Sequence, residues 1–194
     1  MNNEDTSRRL FLLKSLTGIS SAWLALRLPE IVGAQEHAHR AAQSVPPREF
    51  EYLTPEQATE IEAVAAQIIP TDDTPGAREG RVIYFIDRAL MTFDKDKRPQ
   101  YVKGLKELQA KQKKMFPKAG RFSELGSKEQ IALLKKIEKT DFFDLVRVHT
   151  VMGFFADPEY GGNFDRAGWK LIGFEDQFNF KPPFGFYDRE YKDG

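Results

Sequence analysis

The chain has 194 residues, enough for one globular domain with a substantial core and too few for two comfortable ones. Its 29 basic and 29 acidic residues cancel, so the summed charge gives no field to draw in an anionic membrane surface, and nucleic acid is excluded as an expected partner. Cysteine is absent, which excludes disulfides, thiol nucleophiles, iron–sulfur clusters and covalent haem attachment, and three histidines are too few for dense metal sites.

The amino-terminal segment Ser7-Arg8-Arg9-Leu10-Phe11-Leu12-Leu13-Lys14 precedes a diluted apolar stretch that ends at Arg27. This layout is that of a twin-arginine export signal, with Arg8, Arg9, Phe11 and Leu12 at the defining positions and Leu13 as one departure from the usual pattern. The apolar stretch is too short for a spanning helix, which needs about 20 residues. Val32-Gly33-Ala34 has the small side chains a signal peptidase prefers, which places cleavage after Ala34. Loss of residues 1–34 removes four basic and three acidic residues and leaves a mature net charge of −1.

Residues 35–53 are polar, contain Pro46-Pro47 and lack a hydrophobic period, the composition of a flexible linker. The folded domain is expected over 54–177. Thr54-Pro55-Glu56-Gln57 reads as a capping box with proline at the first helical position, followed by Ala58, Ile61, Val64, Ala65 and Ile68 on one face. Pro70 ends that helix. After the loop Thr71–Ala77 a second helix is predicted through Val82, Phe85, Ile86, Ala89, Leu90 and Phe93.

A third helix is predicted from near Pro99 through Val102, Leu105, Leu108 and Met115. Ser127-Lys128-Glu129-Gln130 repeats the capping-box order before Ile131, Leu134 and Ile137. Asp141 is the expected cap of a fifth helix with Phe142, Leu145, Val146, His149 and Met152. The expected class is therefore mainly α: a single domain of about five helices, with an irregular carboxyl-terminal loop from Asp157 through Phe174 and an extended aromatic tail over 178–194. The tail interleaves prolines with Phe180, Phe184, Phe186 and Tyr187, and such a tail is expected to lie on a surface.

Three stretches then resemble one family, the gluconate 2-dehydrogenase subunit 3 family, the small subunits of membrane-associated flavoprotein dehydrogenases. They are Ile68-Ile69-Pro70-Thr71-Asp72-Asp73-Thr74-Pro75-Gly76-Ala77, then Val82-Ile83-Tyr84-Phe85-Ile86-Asp87, and His149-Thr150 with Gly153 through Asn163 into Gly168-Trp169. The resemblance implies an assembly of three parts: a large subunit of the GMC type that binds FAD, a cytochrome c subunit with haem c, and this small subunit without a cofactor. It implies further that the small subunit holds the twin-arginine signal and reaches the periplasm through the Tat translocase. There it stays peripheral to the inner membrane through its complex.

Asp72, Asp73 and Asp87 lack the spacing of a calcium loop, and loop capping is their expected role. His149 lies on an apolar helical face with no partnered nucleophile in sequence, so a hydrogen-bonded core or interface histidine is favoured over a general base. Asp157, Tyr160, Asn163, Asp165 and Trp169 form the densest polar and aromatic cluster. His149, Asp157, Tyr160, Asn163, Trp169, Phe184 and Phe186 are thus the candidate partner interface. The alternative function is an independent periplasmic ligand-binding or enzymatic domain that uses His149.

Overall fold

The computed structural model describes residues 49–177. The export-signal residues Arg8, Arg9, Phe11 and Leu12, the cleavage residue Ala34 and the tail rings Phe184 and Phe186 lie outside them. Among the described residues there are six α-helices and no strand.

Helix α1 (Pro55–Ile68) starts as the sequence predicts. The Thr54 hydroxyl accepts the Gln57 N–H at 3.3 Å while Gln57 Oε1 accepts the Thr54 N–H at 3.1 Å, which satisfies two donors that the helix leaves unpaired. Helix α2 (Val82–Met91) and helix α5 (Asp141–Phe155) form the centre of the core. They approach closely because Gly153 faces Phe85: a side-chain carbon at Gly153 would stand 2.9 Å from Phe85 Cβ. Helix α1 packs across both, with Ile61, Val64, Ile86, Leu90, Val146 and Phe154 buried between the elements. Each such side chain stabilises the fold by roughly 1.5 to 3 kcal/mol.

Helix α3 (Arg98–Met115) lies against α5 through Tyr101, Gly104 and Leu108. Helix α4 (Ser127–Leu134) covers α1, where Gln67 Nε2 donates to Gln130 Oε1 at 2.6 Å. Two caps differ from the sequence expectation by one residue. Gly126, not Ser127, is the N-cap of α4, because Glu129 Oε2 accepts the Gly126 N–H at 3.0 Å. Thr140, not Asp141, caps α5, and its hydroxyl accepts the Phe143 N–H at 3.3 Å. Asp141 instead places a negative charge in the first turn, where the helix dipole favours it.

The sixth helix, α6 (Ala167–Ile172), falls in the stretch that sequence reads as irregular. Asn163, Asp165 and Arg166 just before it have positive φ, at 48°, 54° and 56°, so no helical period leads into it. At the other end of the domain, chain order begins before Thr54. The N–H groups of Glu51, Tyr52 and Leu53 all donate to the Asp87 carboxylate, at 2.8, 3.0 and 2.8 Å. Leu53 is buried, and Arg88 pairs with Glu51 beside it.

Candidate functional site: a sealed histidine and the loop that closes its helix

His149 occupies the middle of α5 on the face that also buries Val146 and Gly153. Two neighbours come from other elements. Asp94 follows the end of α2, in a turn where its own N–H donates to the Ala89 carbonyl at 2.8 Å, and Tyr101 stands in the first turn of α3. The Nε2 of His149 lies 2.9 Å from Asp94 Oδ2, and its Nδ1 lies 2.9 Å from the Tyr101 hydroxyl. The imidazole stacks on the Tyr101 ring at 5.8 Å and meets Phe85 edge-on at 6.4 Å.

One arrangement of protons satisfies both bonds with a neutral ring: Nε2–H donates to the carboxylate, and the phenol donates to Nδ1. The second carboxylate oxygen, Asp94 Oδ1, is buried with no hydrogen-bond partner among the described residues. Burial, and after it the charge of Asp94, pushes the Tyr101 phenol well above its usual range. His149 and Tyr101 are each 1% exposed, so the array is sealed from solvent. A general base must reach the proton it removes, and here both ring nitrogens are already spent on protein groups. What the array does is tie the end of α2, the start of α3 and the middle of α5 together. Among the described residues no group of three or more His, Asp or Glu side chains is arranged to hold a metal ion.

The loop from Asp157 to Trp169 folds back over the carboxyl end of α5. Asn163 Nδ2 donates to the Ala156 carbonyl at 2.8 Å, and its Oδ1 accepts the Gly168 N–H at 2.8 Å. Trp169 Nε1 donates to the Phe155 carbonyl at 2.8 Å. The bonds to the Ala156 and Phe155 carbonyls satisfy acceptors that the end of a helix leaves without partners. The two glycines are required by contact: a side-chain carbon on Gly162 would lie 2.0 Å from the Gly153 oxygen, and one on Gly168 would lie 1.9 Å from the Phe154 oxygen. Asp157 Oδ1 accepts the Glu159 N–H at 2.9 Å and forms the turn that Tyr160 closes.

The sequence pattern of the family described as Gluconate 2-dehydrogenase subunit 3 matches residues 55–176, more than half of the chain. The chain belongs to this family. No curated protein and no solved structure matches it. The family match begins at the first residue of α1 and ends one residue short of the last described one, so the subunit 3 unit coincides with the helical domain.

Within this subunit 3 domain the candidate interface residues separate by burial. His149 and Asn163 are 1% and 0% exposed and Trp169 is buried, so their part in any interface is to hold the surface above them. Asp157 and Tyr160 remain partly exposed. Asp72 has the expected loop role, its Oδ1 accepting the Thr74 N–H at 2.9 Å, whereas Asp87 sits within α2 and gathers the incoming chain. Sequence reading missed Asp94 and Tyr101, whose partner is 55 and 48 residues away. Asp87 did leave a signal, a carboxylate four residues from both Ile83 and Met91 in a helix whose one other charged residue is Arg88. Missed too were Ile172 and Phe174, which stand exposed beside Trp169 where the described chain ends.

Proposed function

We propose that this protein is the non-catalytic small subunit of a periplasmic FAD-dependent dehydrogenase for sugars, sugar acids or alcohols. It escorts its folded flavoprotein partner through the twin-arginine pathway and then stabilises it. The observation that carries the reading is the family match over the whole helical domain, by its description the third subunit of gluconate 2-dehydrogenase. Two physical points support it. The twin-arginine route moves folded proteins, which serves a chain whose cofactor is inserted before export. A chain without cysteine cannot hold an iron–sulfur cluster or covalent haem, so the electrons are handled on companion subunits, one with FAD and one with haem c.

The exposed Ile172 and Phe174, with Asp157 and Tyr160 nearby in sequence and the aromatic tail beyond, form the contact surface for the large subunit. The alternative, an independent enzyme using His149, requires a ring that is 1% exposed and bonded at both nitrogens to reach a substrate. Purification through an affinity tag on this chain, co-expressed with the flavoprotein, tests the proposal. Recovery of a flavoprotein with one FAD per copy of this chain is expected. Recovery of this chain alone, with bound ligand or with turnover of its own, would contradict it.

A further inference from the structure

One face of α3 is used neither by the core nor by the loop. The helix buries Tyr101, Gly104, Leu108 and Gln112, and at 3.6 residues per turn its opposite side presents Lys103, Lys106, Ala110, Lys113 and Lys114, all exposed. At 1.5 Å per residue this row is about 16 Å long. Lys103 has Glu107 at 3.9 Å, while Lys106, Lys113 and Lys114 form no ion pair among the described residues. Lys111 Nζ donates to the Lys136 carbonyl at 3.2 Å, which brings the chain just past α4, with exposed Lys135, Lys136 and Lys139, against the same helix.

This clustering is hidden in the summed charge. Residues 95–139 contain fourteen basic and five acidic residues, a net of +9. The described residues before them, 49–94, contain three basic and ten acidic, and those after them, 140–177, three basic and seven acidic, nets of −7 and −4. The described residues are therefore nearly neutral in sum while their basic side chains are concentrated in one segment, and that segment supplies the attraction to an anionic surface.

We propose that the lysine face of α3 is a docking surface for an anionic phospholipid bilayer. Its residue types decide the class of partner. Lysine is a strongly hydrated point charge on a flexible stem and is depleted where proteins bury one another, whereas arginine and aromatic residues are enriched there. Among lipid headgroups the ammonium groups keep their water and still gain the surface potential, at about 1 kcal/mol per lysine close to the surface. Val102, 37% exposed at the edge of the row, adds an apolar side chain to the same face. No helix among the described residues is long and apolar enough to cross a membrane, so the domain meets the bilayer at its surface. The inference needs no flavoprotein and stands apart from the escort reading.

The test is sedimentation of the full chain with vesicles of equal parts phosphatidylglycerol and phosphatidylcholine. Binding that weakens with added salt is expected. The combined variant Lys103→Gln, Lys106→Gln, Lys113→Gln and Lys114→Gln should lower the partition coefficient about a hundredfold, at roughly fivefold per lysine with some loss to screening. The same four positions changed to arginine should restore it. A control variant, Lys128→Gln with Lys170→Gln, should bind like the parent, and far-ultraviolet circular dichroism confirms that each variant is folded. Binding through the apolar stretch of residues 10–26 would be shared by all variants, so the difference isolates the face. An unchanged partition coefficient in the glutamine variant would overturn the proposal, as would equal binding to pure phosphatidylcholine. Equally tight binding to duplex DNA or poly-glutamate would overturn it too, because the face would then read negative charge of any kind.

Discussion

Asp87 shows how one side chain can set where a domain begins. Its carboxylate accepts three backbone N–H groups from residues 51–53, so those residues are fixed to α2 although their composition reads as linker. Hydrogen bonds to a charged group contribute roughly 1.5 to 3 kcal/mol, and a buried donor left unpaired costs a similar amount. Asp87→Ala is therefore expected to destabilise the domain by about 3 kcal/mol in urea unfolding, and a loss below about 1 kcal/mol would deny the role. Tyr101 makes a prediction about pH. Its phenol is held well above the usual range by burial and by Asp94, so the folded chain keeps a proton that the unfolded chain releases near pH 10. Stability from this group is complete below that pH and is lost as pH rises past it. Tyr84 and Tyr160 shift in the same direction, each first through desolvation, and are unaffected by the substitution. Tyr101→Phe should flatten the alkaline decline by about 1.4 kcal/mol per pH unit, the value of one proton, and parallel declines would contradict the assignment.

At the scale of elements, the helices with long apolar periods were legible in the sequence and the short one was not. α1, α2 and α5 were placed by their stripes, and the Thr54 box by its residue order. The caps of α4 and α5 were read one residue late because Gly126 has no side chain to signal a cap and Thr140 stands beside an equally good candidate, Asp141. α6 has only six residues and follows three positive-φ residues, so a period of 3.6 had no room to show. The site was legible in part: the loop residues were named from their types, but the Asp94–His149–Tyr101 array depends on contacts that only the packed helices create. The loop glycines carry the element-scale prediction. Gly168→Ala would force a carbon into the Phe154 carbonyl, so α6 must move off α5. The expected result is a loss of at least about 2 kcal/mol, in the range of overpacked cores. Hydrogen exchange should rise first at Gly168 and Trp169, and exchange unchanged there would show that the loop has slack.

For the whole molecule, the helical domain supplies a scaffold with a sealed interior, a lysine-rich face on α3 and an exposed apolar edge at Ile172 and Phe174, and the family match covers that scaffold. Under the proposed escort function, its use lies in what the amino-terminal segment does for a companion. The most direct measurement is the periplasmic amount and activity of the co-expressed flavoprotein when Arg8 and Arg9 are both changed to lysine. The escort account predicts that the flavoprotein stays in the cytoplasm, folded and with its FAD. Normal amounts of active flavoprotein in the periplasm would contradict it.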